Sequence, residues 1–392
     1  AGVAAYESGA LAPIAPGDAL YVYVPSDTTV ADGMYAGVVS CDQEVAAVVN
    51  FSDADSGASY SGVGGSEVAT ELYAPAVYDN YYSYYSNVVV QNATGAPVDI
   101  TLQIFAPGVA TPVYEDTKTA VPGYAHVAWE QEGLAELVTN QFYAAKITAT
   151  GDVAAIVNIY GLGGTANQLY SYNAFAAGSM MAYAPVVMNN FYGYNTAIVV
   201  QNMGAANAAV TVTYSDGTEW TGSIAPGAAE SLYTPASGIA AGNTLYGAVI
   251  ESDEPVAVIV NESTPFNRAG TYNGFASGGT AASAPVVMQA YYGWNSSVTC
   301  QNVSNAAVTM EIEYAGPNAP TGTFGPQGGN PVAPGAVGMF YQPDDISVVN
   351  WIGSASITAT GDIVCVVNQD QNMPPQATQV MDQLYVYNAI VQ

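Results

Sequence analysis

Basic side chains are almost missing from this 392-residue sequence. Lys118, Lys146 and Arg268 are its only lysines and arginine, against 32 Asp and Glu, and the formal net charge is -29. The acidity therefore comes from a lack of basic residues and not from an excess of carboxylates. Such a surface repels nucleic acid and anionic lipid, and it offers few sites to proteases that cut after Lys or Arg. Both properties predict a long-lived extracellular protein without a nucleic-acid partner.

Long apolar runs are also missing. No stretch approaches the ~18 to 20 apolar residues that a membrane helix needs, so we expect no membrane insertion. The sequence begins with "AGVAAYESGA" instead of Met and shows no signal-peptide pattern. We therefore expect a secreted chain whose targeting segment has been removed, located outside the cell or at its surface.

Residues suited to catalysis or metal binding are scarce. His126 is the only histidine and lies in the strand-like run "YAHVAW", so we expect a structural or surface role for it. Glu311 and Glu313 in "MEIEY" share one solvated strand face and do not resemble a catalytic pair. Asp53 and Asp55 in the acidic loop "SDADSG" are the best calcium ligands on offer, although the dense spacing of a calcium loop is missing. We predict no enzyme activity and no cofactor, with calcium as the one ion left open.

Cysteine occurs only three times. Cys300 and Cys365 fall in two strand-like runs of one repeat, on strands that we expect to face each other. A disulfide across the core is therefore geometrically reasonable, with two buried free thiols as the alternative. Cys41 is left over at a predicted turn, where it is either free or bonded to another molecule.

Repetition is what the sequence has in abundance. The phrase "APAVYDNYYSYYSNVVVQN" from Ala74 returns in similar form from Ala184 and Ala284. Each copy leads into a run of alternating apolar and polar residues, which is typical of a half-buried strand. A Pro-Gly turn, a predicted hairpin and a Tyr-Asn phrase follow, and the hairpin turns carry Asp42, Asp152, Asp253 and Asp362. About seven short strands per ~100-residue unit result, the density of a β-sandwich.

The N-terminal region repeats only the second half of this unit, with "APGDALYVYV" from Ala15 and "YAGVVSCDQEVAAVVN" from Tyr35. We therefore divide the sequence into an incomplete N-terminal sandwich, residues 1–73, and three repeats, residues 74–183, 184–283 and 284–392. One half-sandwich then lacks a partner. A strand from another copy would fill the gap and, because the contact does not close, would build a filament. The alternatives are a smaller self-sufficient sandwich, docking on the next unit, or an end cap.

Aromatic residues cluster after each Ala-Pro pair, where one unit meets the next. Interface packing explains this position, and a sugar-stacking platform around Tyr84, Tyr194 and Trp294 is the alternative. The predicted interface residues are Tyr6, Tyr21, Tyr23, Tyr84, Tyr194, Trp294, Tyr385 and Tyr387. Glycosylation sequons, which are weak signals in a chain of this composition, stand at Asn50, Asn92, Asn261, Asn295 and Asn302.

The repeated phrase in ~100-residue β units resembles the tandem immunoglobulin-like domains of secreted prokaryotic cell-surface and filament proteins. The resemblance implies an all-β fold, a tandem array of antiparallel β-sandwiches whose N-terminal copy is incomplete, and an adhesive or structural role. We predict a non-enzymatic extracellular protein that forms a pilus-like homopolymer by β-strand complementation. The alternative is a monomeric adhesin or carbohydrate-binding protein whose aromatic loops contact other cells, surfaces or glycans.

Overall fold

The structure is a computed structural model. It describes residues 13–15, 19–24, 30–52, 56–65, 67–162, 168–264, 268–371, 382 and 384–392. These residues are almost all in strands or connections, with one four-residue helix, Gln342–Asp345, and a 3-10 turn at Thr234–Ala236. The predicted all-β class with antiparallel sheets is confirmed. Within the described part of the chain, no helix has the length and apolar character to cross a membrane.

The strands of the described residues form one hairpin and three seven-stranded sheets. The N-terminal hairpin consists of β1 (Val48–Ser52) and β2 (Gly57–Ser61). Unit 1 consists of β3 (Ala69–Tyr78), β4 (Tyr84–Asn92), β5 (Val98–Phe105), β6 (Tyr114–Val121), β7 (His126–Glu130), β8 (Phe142–Gly161) and β9 (Leu169–Asn173). Unit 2 consists of β10 (Ser179–Phe191), β11 (Tyr194–Asn202), β12 (Ala208–Tyr214), β13 (Glu219–Ile224), β14 (Ala229–Tyr233), β15 (Leu245–Ser263) and β16 (Ala269–Asn273). Unit 3 consists of β17 (Gly279–Gln289), β18 (Trp294–Asn302), β19 (Met310–Ala315), β20 (Val337–Tyr341), β21 (Trp351–Gln371), β22 (Leu384–Asn388) and β23 (Ile390–Val391).

One long strand in each unit belongs to two layers. In unit 1, β8 pairs with β3 and β5 along its first part and with β4 and β9 along its last part. β15 and β21 do the same in units 2 and 3. Each sheet therefore folds over its own longest strand, and the two layers enclose a core that in unit 1 contains Leu72, Ile100, Val88 and Val157.

The predicted hairpins at Asp152, Asp253 and Asp362 are wrong, because the long strands run straight through these positions. The polar stretch marks the crossing from one layer to the other, where the strand is exposed and its side chains look like those of a turn. Asp42, the fourth residue of this set, lies in irregular chain.

The sheets begin five residues before the predicted boundaries. β3, β10 and β17 start at residues 69, 179 and 279, whereas the boundaries were placed at residues 74, 184 and 284. The reason is that the Ala-Pro pair lies inside its strand, at a register shift between Ala74 and Val77 and at the equivalent points of the other units. A Pro within a strand is typical of a bulge, since it cannot donate to the ladder.

The units form a closed ring about an axis. β2 contacts β9, β9 contacts β16, β16 contacts β22, and β22 contacts β2. Side chains repeat the same link from each unit to the one before it: Asn173 Nδ2 donates to Ser61 O (2.8 Å), Asn273 Nδ2 to Asn173 O (2.7 Å) and Asn388 Nδ2 to Asn273 O (2.6 Å). The Ser59 hydroxyl donates to Val386 O at 2.9 Å, which joins the hairpin to unit 3. The N-terminal hairpin therefore takes the place of a fourth unit.

Candidate functional site

Each Ala-Pro pair is an anchor of the unit's core. The Tyr172 hydroxyl donates to the carbonyl oxygen of Ala76 at 2.7 Å and accepts the N–H of the same residue at 3.0 Å. Tyr272 binds Val186 and Tyr387 binds Val286 in the same way. Because Tyr387 is buried and bonded inside its own unit, its predicted role at an interface is wrong.

The Gln-Asn pair at the other end of the repeated phrase also has a structural role. Asn92 Nδ2 donates to Ala96 O (2.7 Å) and Val121 O (3.1 Å), and Asn92 Oδ1 accepts the N–H of Thr94 (2.8 Å). Asn302 makes the equivalent bonds. Both side chains are buried, so the predicted glycosylation of Asn92 and Asn302 is incompatible with the folded chain. Of the other sequons, Asn50 is exposed, whereas Asn261 and Asn295 are half-buried.

The glutamine of this pair joins neighbouring units. Gln201 Nε2 of unit 2 donates to Ala145 O of unit 1 at 3.0 Å, and Gln301 Nε2 of unit 3 donates to Ala248 O of unit 2 at 3.2 Å. In unit 1, Gln91 Nε2 instead donates to Tyr124 O of its own unit at 3.5 Å. The unit 1 glutamine thus lacks, among the described residues, the neighbour that its equivalents have.

The sheet surface around Gln91 is less covered than its equivalents. Val199, Ala257 and Ile259 of unit 2 are buried under unit 1, and Val199 and Ile259 belong to the core cluster of unit 1. The matching residues of unit 1, which we call the outer face of unit 1, are only half-buried: Val89, Gln91, Ala154 and Ile156. An apolar sheet face is therefore left partly open to solvent on the side of the N-terminal hairpin.

Two segments of the N-terminal region remain without a strand. By sequence, residues 19–24 correspond to β7 and residues 35–40 to the first part of β8, yet neither segment is in a strand. Tyr21, 76% exposed, is among their uncovered side chains, together with Tyr23, Val38 and Val39. Their counterparts in units 1 to 3 pair with strands for which the N-terminal region has no equivalent among the described residues. We call residues 19–22 and 35–40 the unpaired segments; Tyr6 lies outside the described residues.

Arg268 forms a buried bridge between units 2 and 3. Arg268 Nη1 contacts Asp370 Oδ2 at 2.6 Å and donates to the Tyr194 hydroxyl at 3.3 Å. Tyr194 donates to the same Asp370 oxygen at 3.1 Å, and burial raises the pKa of Tyr194 well above its ordinary value. Tyr194 therefore makes a contact between units, of the kind that the sequence predicts. Sequence reasoning did not single out Arg268 or Asp370 for this bridge.

Tyr84 and Trp294 have contacts inside their own units, whereas Tyr385 also contacts the N-terminal hairpin. The Tyr84 hydroxyl donates to Gln168 Oε1 within unit 1. In unit 3, Trp294 stacks on Tyr385, with ring centroids 4.6 Å apart and planes 15° apart. Tyr385 also lies against Gly57 of the N-terminal hairpin, where a Cβ would come within 2.3 Å of its ring. Gly57 thus permits the close approach of the hairpin to unit 3.

A single carboxyl group near the axis binds three units. Asp382 accepts the backbone N–H of Leu169 at 2.8 Å, of Ala269 at 2.9 Å and of Leu384 at 3.3 Å. These are the first residues of β9, β16 and β22. Burial raises the pKa of Asp382, and these backbone bonds oppose that rise. No sequence signal sets this Asp apart, because the three strands meet only in the folded ring.

Glu262 is a buried acid at the contact of units 2 and 3. It stands where unit 1 has Ile159, and its Oε2 accepts Asn368 Nδ2 of unit 3 at 2.6 Å. Its Oε1 is buried without a hydrogen-bond partner among the described residues. Burial raises the pKa of Glu262 to about 8. The one sequence signal was a Glu in the apolar run "VAVIVNES".

Three exposed tyrosines occupy equivalent hairpin tips. Tyr82, Tyr192 and Tyr292 have φ of 50°, 48° and 49° and exposed fractions of 72%, 71% and 78%. Each ring packs edge-on against the aromatic residue before it. Each N–H donates to an asparagine side chain: that of Asn140, Asn243 or Asn350. A left-handed conformation costs a non-glycine residue roughly 1–2 kcal/mol, and here it is retained three times.

The cysteines and acidic candidates complete the set of predicted residues. Cys300 and Cys365 form a disulfide between directly opposed residues of β18 and β21, with Cα atoms 4.1 Å apart. The bond therefore joins neighbours in one layer instead of crossing the core, because β18 pairs with the last part of the folded strand β21. Cys41 is exposed and free. Asp53 and Asp55 lie outside the described residues, and within the described ranges no three His, Cys, Asp or Glu side chains are placed to hold a metal ion.

Known proteins offer little to compare with this chain. No protein-family model matches the sequence, and no curated protein matches it. Among solved structures, the crystal structure of Thermotoga maritima 1070 is similar to 25% of this chain and to 94% of its own, with 18% identity and a TM-score of 0.21. A likeness at this score supports no conclusion about the fold or function of the chain.

Proposed function

We propose that this protein is an extracellular structural protein whose copies join head to tail by β-strand complementation. The unpaired segments support this function: they are apolar and exposed, whereas their counterparts in all three complete units are paired strands. Natural proteins cover exposed strand-forming segments, because such segments pair with other chains. A second copy of the secreted chain would be such a partner.

Covering these segments offers a substantial gain in free energy. Burial of one Val side chain stabilises a contact by roughly 1.5–3 kcal/mol, and the unpaired segments expose several apolar side chains. A contact in which one copy donates a segment and the next accepts it is heterologous, so it extends into a fibre unless its rotation closes a ring or two copies exchange the segment. The shortage of Lys and Arg fits a fibre exposed to extracellular proteases.

The proposal also covers the class of β-sandwich to which the units belong. Two layers around one core in each unit support an array of sandwiches, and we propose that these are immunoglobulin-like. The strand shared by both layers is the feature to compare with the strand order of immunoglobulin domains. A strand order that departs from the immunoglobulin pattern would contradict this part of the proposal.

Self-assembly can be tested directly. Negative-stain electron microscopy and sedimentation velocity would compare the wild-type chain with the double variant Val38→Asp/Val39→Asp. We expect wild-type filaments and their loss in the variant, since both valines are already exposed in the single chain and their replacement leaves its fold intact. The matched control is Val348→Asp/Val349→Asp in unit 3, also an exposed pair, which should still assemble. Wild-type protein that stays as single particles at every concentration would contradict the proposed function.

The exposed tyrosine tips favour a second candidate function, the binding of glycans at a surface. Tyr82, Tyr192 and Tyr292 present aromatic rings three times over in a strained conformation, as expected of a site kept for contact with a ligand. Calorimetry with neutral oligosaccharides would compare the wild-type chain with the triple Tyr→Ala variant. Tyr124→Ala, at another exposed tyrosine with positive φ, is the control. If the triple variant still releases the heat of binding, the tyrosine tips are excluded as the glycan-binding site.

A further inference from the structure

We infer that residues 10–15 of a second copy form the missing strand, pairing antiparallel with residues 35–39 so that Ala12 lies opposite Gly37. This inference rests on the proposed function and names the segment that performs it. A strand paired with residues 35–39 in this way would also cover the outer face of unit 1. Three independent features of the complete units lead to this register.

The first feature is the pairing of the Ala-Pro strand with the long strand in every complete unit. Ala74 lies opposite Ala145, Ala184 opposite Ala248, and Ala284 opposite Ala355. Each of these partners precedes an aligned asparagine, Asn158, Asn261 or Asn368, by 13 residues (158 − 145, 261 − 248, 368 − 355). The same interval before Asn50 leads to Gly37 (50 − 37 = 13). In the incomplete unit, Gly37 therefore occupies the position that lies opposite the Ala of the Ala-Pro pair in the complete units.

The second feature is a matching phrase near the N-terminus. Ala12-Pro13-Ile14 has the Ala-Pro-small or aliphatic pattern of Ala74-Pro75-Ala76, Ala184-Pro185-Val186 and Ala284-Pro285-Val286. In the single chain, Pro13 is exposed and Ile14 is 44% exposed. A strand with this phrase carries the Pro that makes the bulge and an aliphatic residue to bury.

The third feature is the glutamine link between units. Gln201 donates to the carbonyl oxygen of Ala145, and Gln301 donates to that of Ala248; both acceptors are the residues opposite the Ala of the Ala-Pro pair. By the same rule, Gln91 would donate to the carbonyl oxygen of Gly37 once residues 35–39 are held as a strand. The outer face of unit 1 would then be covered as Val199 and Ile259 are covered in unit 2.

The distances favour a second copy over the chain's own N-terminus. Residues 13–15 and 35–40 of one chain are all outside strands. In unit 1, the counterparts of Ala15 and Ala19 are Val77, near the end of β3, and Ala125, just before β7. Tyr78, beside Val77, donates to Ser86, and Ser86 donates to Gln131 just past the far end of β7. The six residues from Ala125 to Gln131 cover about 20 Å of extended strand. The four steps from Ala15 to Ala19 span at most about 14 Å, so one chain cannot fill both places in one unit.

Disulfide trapping tests the register. In a Cys41→Ser background, a copy carrying Ala12→Cys is mixed with a copy carrying Gly37→Cys and oxidised mildly. Gly37 has room for a side chain, because no atom lies within 4 Å of a Cβ built there. The natural disulfide is unaffected, since Cys300 and Cys365 are both buried. We expect a cross-linked dimer on a non-reducing gel, formed about tenfold faster than with the control partner Val39→Cys, which lies two residues out of register.

The outcomes separate the strand assignment from the proposed function. Wild-type filaments that form without the Ala12–Gly37 cross-link would overturn the assignment and leave self-assembly standing. A cross-link that forms within one dilute chain carrying both substitutions, with no dimer on mixing, would identify the chain's own N-terminus as the strand and overturn the second-copy inference. Absence of wild-type assembly, with no cross-link, would overturn both. As a further measurement, Ile14→Asp should abolish assembly and Ile14→Val should retain it.

Discussion

The hydroxyl of Tyr172 both donates to and accepts from the backbone of one residue, Ala76, at 2.7 and 3.0 Å. The Pro at position 75 is what makes this possible, because the bulge it causes leaves the N–H and carbonyl of Ala76 outside the ladder. The Ala-Pro phrase and the Tyr-Asn phrase, about 100 residues apart, are therefore two halves of one contact.

Loss of this hydroxyl should destabilise its unit. Tyr172→Phe leaves the buried N–H and carbonyl of Ala76 unbonded while filling the same space, so we expect the free energy of unfolding to fall by roughly 2–3 kcal/mol. Chemical denaturation measures this change. The control is Tyr82→Phe, which removes an exposed hydroxyl. Its free energy of unfolding should fall by less than about 0.5 kcal/mol. An equal effect of the two substitutions would contradict the anchoring role.

Glu262 should make stability depend on pH. Its pKa is about 8 in the folded chain against an ordinary value of 4.5, so the folded state retains a proton that the unfolded state releases. The contribution of Glu262 to the free energy of unfolding is then fully present below about pH 4.5, falls as the pH rises, and is lost above about pH 8.

The variant Glu262→Gln removes this dependence. We expect it to be more stable than the wild-type chain at pH 9 by a few kcal/mol and similar to it near pH 4. Thermal unfolding across this pH range measures the difference, with Glu219→Gln, an exposed acid on β13, as the control. If the wild-type chain and Glu262→Gln had parallel pH profiles, the buried acid would be ruled out as the cause of the pH dependence of stability.

Asp382 should hold the ring together. Asp382→Ala leaves the N–H groups of Leu169, Ala269 and Leu384 without their acceptor, which should cost roughly 2–4 kcal/mol. Asp382→Asn keeps an acceptor oxygen and should lose about half as much. Hydrogen exchange at these three amides is the sharpest readout, and exchange that speeds up at only one of them would refute a shared carboxyl.

The disulfide should be replaceable by a valine pair. Unit 2 has Val200 opposite Val258 where unit 3 has Cys300 opposite Cys365. Opening a bridge with a sequence separation of 65 should cost up to about 4 kcal/mol through the unfolded chain. Cys300→Val/Cys365→Val should therefore unfold at a lower temperature than the oxidised protein, yet fold to the same structure. A misfolded double variant would show that unit 3 needs the bond to form its core.

Period-two patterns made the strands of each unit predictable, and the alternation in "MEIEY" matches exposed Glu311 and Glu313 between buried neighbours. The repeated phrases led to the units for the same reason, since each phrase carries a contact. The long strand was missed because an exposed crossing and a turn use the same residues, as at Asp152. The contacts of Asp382 and Arg268 could not be predicted from the sequence, because they depend on how four sets of strands meet around one axis.

The long shared strands have a mechanical consequence. Because β8, β15 and β21 each belong to both layers of their units, neither layer can be peeled away while the other stays intact. A chain stretched by its ends should therefore extend in abrupt, unit-sized jumps, after an initial release of the ring's asparagine links. A fibre built from such chains would dissipate tension one unit at a time and recover its length when the load is removed.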